Sequence, residues 1–260
     1  MNLDFICYPI GMLVKLLYNM VSILDTPILS AYAISIILAT IFFKLILMPL
    51  TLKQTKSMKV MQDLNPQIKE MQEKYGKDPQ TLQRKQMELY KEANYNPMSG
   101  CLPLLIQMPI LIAFFYVIQR PVQFIFQDQA FFDTMNKSFL WIKDLGFTEN
   151  FVFENGTING LGMGGMILPF IGAAFPILAV LSGYSTYLTS KMTTASQPSM
   201  NEQQASTQKT MTMMMPVMLF VFSIQMPSGL ALYWVVSNIF QVVQQYVILN
   251  SSKKPKEELK

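Results

Sequence analysis

The side chains able to do chemistry in this sequence sit inside apolar runs, and they offer charge and hydrogen bonding, with nothing that breaks bonds. Lys44 is the one charge in the stretch Ile28 to Leu50. An ammonium group attracts carboxylates, but holding one near the centre of a membrane helix costs roughly 2.5 to 3.5 kcal/mol on insertion scales. It therefore calls for a partner, a wet cavity or a route to the interface. Lys44 stands six residues before Leu50, ~9 Å by helical rise, so snorkelling to the interface is one open reading. Ser30, Ala33, Ile37 and Thr40 share its helical face. Only Ile37 among them is bulky and apolar, so this face suits a close helix contact or a wet groove better than lipid.

A second set lies near the other end of the chain. Trp234, Asn238, Gln241 and Gln245 recur at intervals of four, three and four, flanked by Ser237 and Gln244. At 100° per residue the four fall within about 60° of one another on a helix. Lipid cannot satisfy such a strip. Either it hydrogen-bonds across a helix interface, at ~0.6 kcal/mol per contact, or it lines one hydrated cavity together with Lys44, Thr40 and Gln107.

Composition narrows the chemistry further. Over the 260 residues 51% are hydrophobic and 14% charged, with a net charge of +4, which is too apolar for an ordinary soluble domain. The sequence holds no histidine, the commonest base near neutral pH and the commonest metal ligand. No catalytic residue, metal site or cofactor is expected, and the protein is read as a non-enzyme. Cys7 and Cys101 stand alone, on opposite sides of the membrane by the topology below, and no disulfide is expected between them.

The elements that position these residues follow in order. Residues 1–27 lack the positive start and small-residue cleavage site of a secretory signal. Lys15, Asn19 and Ser22 make a narrow polar stripe, read as an extracytoplasmic interfacial amphipathic helix, a further span being the alternative. Residues 28–50 form the first span, ~35 Å of helix against a hydrocarbon core of about 30 Å. Residues 51–100, with nine Lys or Arg and six acids, form a helical hairpin outside the bilayer, broken at Gly76, Asp78 and Pro79. Met58, Met61, Leu64, Ile68 and Met71 recur at helical spacing, more readily the hairpin's own seam than a surface for apolar guests. Residues 101–126 form the second span, and 127–162 an extracytoplasmic loop whose Phe131, Phe132, Phe139 and Trp141 suit an interfacial helix. The run Gly160 to Gly165 has no strand before it and is read as the flexible approach to a third span, 163–188. A polar cytosolic loop (189–210), a short fourth span (211–226), the turn Pro227-Ser228-Gly229 opening a fifth span (227–249), and a cytosolic basic tail (250–260) complete the chain.

Of the twenty Lys and Arg, fifteen fall in 51–100, 189–210 and 250–260, and four on the other face at Lys15, Arg120, Lys137 and Lys143. By the positive-inside rule the amino terminus is outside and the carboxyl terminus cytosolic, in a multi-pass membrane protein. The fold class is an all-α polytopic membrane protein with a five-transmembrane-helix core.

The segments FKLILMPLTLKQTKSMKVMQDLNPQIKEMQEKYGKD, LYKEANYNPMSGCLPLLIQMPI, FLWIKDLG and MMPVMLFVFSIQMPSGLALYWVVSNIFQVVQQY, in this order and spacing, resemble the YidC/Oxa/Alb family of membrane protein insertases, and the likeness runs from about Ser22 to Asn250. The compact form is similar to Gram-positive-type members, which implies a place in the bacterial cell membrane. The resemblance implies a hydrophilic groove open to the cytosol and to lipid but closed toward the outside. It also implies that a positive charge there attracts acidic residues of a crossing segment. Lys44 stands where the family usually has arginine, keeping the charge and losing the planar fork. Thr189-Ser190 stand where members commonly have a glutamine. The implied partners are nascent membrane-protein substrates, the lipid bilayer, the ribosome and the Sec translocon, with no specific nucleic-acid sequence. The alternative is a small-solute or ion transporter using Lys44 as its intramembrane charge, although no internal repeat is visible.

Overall fold

The structure, a computed structural model, describes residues 3–96, 102–148, 151–154, 157–161, 166–167, 174–194 and 202–251. Eight helices dominate it: α1 (Asp4–Val21), α2 (Ala31–Tyr75), α3 (Pro79–Glu92), α4 (Leu102–Gln119), α5 (Gln129–Thr134), α6 (Ile177–Thr194), α7 (Glu202–Gln225) and α8 (Ser228–Ser251). Two described segments, Asp4–Leu24 and Ala31–Tyr75, are long and apolar enough to cross a membrane, while the apolar stretches Gln107–Gln119 and Lys209–Gln225 are shorter.

The first expected span and the first arm of the hairpin prove to be one helix. α2 runs 45 residues through Pro49 and Pro66, roughly 67 Å, about twice a hydrocarbon core. Its start is set by Ser30, whose Oγ accepts from the Ala33 amide at 3.1 Å, an ordinary N-cap. Each internal proline removes one helical donor without ending the helix, because the remaining turns on both sides still pair. Past the bilayer length α2 packs against α3, which opens on the Asp78 cap, whose carboxylate accepts from the Thr81 amide at 3.2 Å and the Thr81 hydroxyl at 2.6 Å. Met61, Ile68, Leu89 and Tyr90 make a small separate core there, with Leu64 and Met71 packed against it. The methionine stripe is this seam.

At the other end a loop latches the helices together. The Ser30 amide donates to the Ser138 carbonyl at 2.9 Å, the Ser138 hydroxyl to the Pro27 carbonyl at 2.8 Å, and the Gly229 amide to the Leu145 carbonyl at 2.9 Å. A Cβ on Gly229 would lie 3.1 Å from Ile118 and 3.4 Å from the Leu145 carbonyl, so the bare backbone lets α8 begin tucked beneath the loop. The main core, including Tyr32, Ile36, Phe114, Ile142, Leu145 and Leu230, fills this half of the bundle.

α1 lies across the end of α4. The Cys7 thiol faces the Ala113 carbonyl at 3.9 Å, and Tyr18 stacks edge-on against Phe126 and Phe131. Four short strands occur where none was expected: Phe151–Glu154 pairs antiparallel with Thr157–Leu161, and Met166–Ile167 with Ala174–Phe175. The second pair occupies part of the expected first half of the third span, and α6 starts only at Ile177, directly after Pro176. Glycine at 160, 162, 164, 165 and 172, with Pro169 and Pro176, makes this stretch a poor helix former however apolar it is. The strands are appendages, and the fold remains all-α. Cys101, part of the glycine run and most of the basic tail, including Lys253, Lys254 and Lys256, lie outside the described residues.

Candidate functional site

Lys44 is 8% exposed, while Phe42, Leu45 and Ile46 beside it are 45%, 51% and 54% exposed. The helix therefore turns the lysine inward and its apolar neighbours outward, the reverse of what a side chain snorkelling from a lipid face would show. The pocket around it is lined by Thr40, Phe43, Leu47, Gln107, Ile110, Phe114 and Tyr233. Three helices contribute: α2 the lysine, α4 the glutamine and α8 the tyrosine. The Gln107 amide donates to the Tyr233 hydroxyl at 3.0 Å, which ties α4 to α8 beside the ammonium group. Tyr233 is itself stacked on Phe114, ring centroids 4.3 Å apart. Ser237, one turn further along α8, is buried and interacts with the same tyrosine hydroxyl.

The Thr40 hydroxyl donates to the Ile36 carbonyl at 2.7 Å, so its oxygen keeps lone pairs free for another donor. Among the described residues no carboxylate pairs with Lys44 and no hydrogen-bond acceptor reaches it. A cation held this deep without an anion is costly, and the space beside it is small. The cavity of about 10 Å³ is what one ordered water needs, ~10 to 15 Å³. That is the lower limit for a single water and far too little for a peptide.

The strip on α8 divides. Trp234 and Asn238 turn away from Lys44 toward α6. The Trp234 indole donates to Thr186 Oγ1 at 3.0 Å. The Asn238 amide lies 2.8 Å from Thr186 Oγ1 and 3.1 Å from Ser185 Oγ. Because the Trp234 Nε1 and the Thr186 amide both point at it, the Asn238 oxygen belongs there, accepting at 3.1 and 3.3 Å. Gln244 on the flank reaches Thr51 of α2. Gln245 is buried with its oxygen unpaired among the described residues, and Gln241 is half-buried. The structure thus brings Lys44, Thr40 and Gln107 into one pocket, with Ser237 beside it, and puts Trp234 and Asn238 into a packed seam.

Sequence reasoning passed over the partners. Ser182, Thr186, Thr189 and Thr193 recur at four, three and four along α6, with Ser185 beside them, a stripe that was legible in the sequence. Ser182 meets Ser223 of α7 at 2.9 Å, and a Cβ on Gly183 would lie 3.1 Å from Phe220. Tyr233 was missed because it lies about 100° around α8 from Trp234.

Known proteins were compared once this geometry was in hand. A family model described as 60Kd inner membrane protein matches residues 24–256. A protein of Clostridium perfringens named membrane protein insertase YidC is 39% identical over 231 residues, 88% of this chain and 84% of that one. One of Listeria monocytogenes named membrane protein insertase YidC 1 is 38% identical over 232 residues, 88% of this chain and 67% of that one. A crystal structure titled as an active YidC insertase with its first transmembrane domain resolved matches with a TM-score of 0.57 at 29% identity. That match covers 95% of this chain and 47% of the solved one, so this chain spans about half its length.

Proposed function

The chain belongs to the 60Kd inner membrane protein family, that of the YidC insertases, and from that membership we propose that it inserts nascent membrane proteins into the cell membrane, using Lys44 as an electrostatic rest for the crossing segment. The observation that carries the reading is an inward-turned cation with no anion of its own among the described residues, set between α2, α4 and α8 and flanked by Gln107 and Tyr233. Such a site lacks the carboxylate that a substrate's acidic tail supplies. At about 4 Å and an effective dielectric near 20 that pair gains roughly 4 kcal/mol, less where water screens it. Burying the substrate's apolar helix in lipid supplies the net drive, at ~25 cal/mol per Å².

The pocket is a resting state of the groove. Parting α8 from α2 on the hairpin side opens it to the cytosol, while the loop latched to Ser30 and Gly229 keeps the far end shut. The distribution of Lys and Arg supports an outside amino terminus, a cytosolic carboxyl terminus and a cytosolic α2–α3 hairpin. The hairpin's basic surface is where a ribosome or the Sec translocon would dock, and the protein acts alone on simple substrates. No cofactor or covalent step is needed.

Liposomes containing only the full chain and a small single-span substrate test this reading. Insertion without nucleotide is the expected result. Solute flux with no insertion would replace it with a transporter using the same lysine.

A further inference from the structure

Among the described residues a second cavity exceeds the one at Lys44. A cleft of about 260 Å³ opens at the far end of the bundle, where the start of α1 crosses the end of α4. Its polar walls are Asp4, Tyr116, Arg120 and Gln123, with Leu3 and Phe124 as apolar floor. Arg120 holds its guanidinium 5.6 Å from the centroid of the Tyr116 ring, a cation–π placement that fixes it without using its five donors. Among the described residues it has no carboxylate partner. The first turn of α1 borders the same cleft, and Leu3 offers no side-chain cap; its carbonyl takes the Ile6 and Cys7 amides, which leaves those of Asp4 and Phe5 without a partner among the described residues and open to an anion.

Where this cleft lies decides what fills it. α4 ends at Gln119, one residue before Arg120, so the guanidinium sits at the end of a membrane helix, the depth of lipid phosphates. Phe5, Met12, Leu16 and Met20 on α1 are 74%, 67%, 57% and 68% exposed, an apolar ridge suited to acyl chains that starts next to the cleft residue Asp4. The volume is a little below the roughly 300 Å³ at which drug-sized pockets begin, enough for a headgroup and too small for a whole lipid. One wall is cationic and the other anionic.

We infer that this cleft binds the headgroup of a phospholipid in the leaflet opposite the hairpin, with Arg120 and the first two amides of α1 on the phosphate and the Asp4 carboxylate on a headgroup amine. The inference uses the membrane reading of α4 and is independent of the role of Lys44.

Native mass spectrometry of the full chain in a neutral detergent tests it. Phosphatidylethanolamine, phosphatidylglycerol of the same acyl chains and inorganic phosphate are added separately. The parent should retain one phosphatidylethanolamine about fivefold more tightly than phosphatidylglycerol, and inorganic phosphate negligibly. Arg120→Gln should weaken both lipids about tenfold, Arg120→Lys should recover part of the loss, and Asp4→Asn should abolish the preference while keeping phosphatidylglycerol binding. Arg120 and Asp4 are exposed, so these variants retain the fold, which an unchanged helical signal and unfolding midpoint in the same detergent confirm. Undiminished lipid binding by Arg120→Gln, a parent that prefers phosphatidylglycerol or binds inorganic phosphate equally well, or a preference untouched by Asp4→Asn would overturn the inference.

Discussion

Replacing Thr186 by valine and Asn238 by leucine, singly and together, asks whether the polar strip of α8 is a packed seam or an open wall. Both changes hold side-chain volume nearly constant, so the cavity penalty of core truncation stays small. Thr186 Oγ1 is 2.8 Å from the Asn238 amide and 3.0 Å from the Trp234 indole, so the single Thr186→Val removes two cross-helix contacts at once, while the indole keeps the Asn238 oxygen at 3.1 Å. Cross-helix contacts of this kind average ~0.6 kcal/mol and reach ~1.7 in lipid-like surroundings. Asn238 keeps Ser185 at 3.1 Å, which cushions its loss. The expected coupling in the cycle is therefore about 1 kcal/mol. Reversible unfolding of the full chain in mixed micelles, followed by helical signal against denaturing detergent, measures all four corners. A coupling below about 0.3 kcal/mol, the limit at which distant sites already add, would mean that these residues do not hold α6 to α8 and that the seam is a wet surface.

Gly11→Ala should be far more damaging than its chemistry suggests, since the new Cβ would sit 2.0 Å from the Phe124 carbonyl oxygen. Lifting α1 should cost about 1 to 3 kcal/mol in the same micelle assay, whereas Met12→Ala, on the exposed ridge, should stay within ~0.5. Asp78→Ala removes the cap of α3, and faster amide exchange over Gln80 to Arg84 is expected with exchange at the bilayer end of α2 unchanged. The Asp78 carboxyl is held below the usual carboxylate range, first by its side-chain bond to Thr81. The cap therefore contributes at every pH above that usual range and is lost only as pH falls through the lower folded value. Exchange across the first turn of α3 that is insensitive to acidification below about pH 4 would contradict this.

How legible the molecule was depends on the kind of signal each residue carries. Lys44 declared itself because a lone charge in an apolar run demands an explanation, and its burial decides between a snorkelling side chain and an inward one; Thr40 followed from being one turn away. Gln107 joined them because a span offers few polar side chains. Periodicity also marked Trp234 and Asn238 as one face of α8, but a face does not name its neighbour. Which helix it meets is decided by how α6 and α2 sit around α8, and the hydroxyl stripe of α6 reads as filler in an apolar run until it is seen against that face. Tyr233 escaped for the same reason from the other side. The strands before α6 were hidden because hydropathy alone cannot tell an apolar strand from a short apolar helix, and the glycines and prolines that settle the matter were weighed as spacers. The unbroken α2 escaped because a change from apolar to charged composition marks where lipid ends, which is a property of the surroundings and not of the backbone.

The central claim is that the Lys44 charge itself lowers the barrier for a polar peptide end. Its most direct measurement is a charge-swap experiment in liposomes, with Lys44, Lys44→Arg and Lys44→Glu each tested on one single-span substrate whose crossing tail carries either acids or lysines. The account predicts that Lys44→Arg keeps insertion of the acidic tail, that Lys44→Glu slows it tenfold or more, given roughly 4 kcal/mol before screening, and that Lys44→Glu speeds the lysine tail. Insertion of the acidic tail by Lys44→Glu at the rate of the parent protein would contradict it.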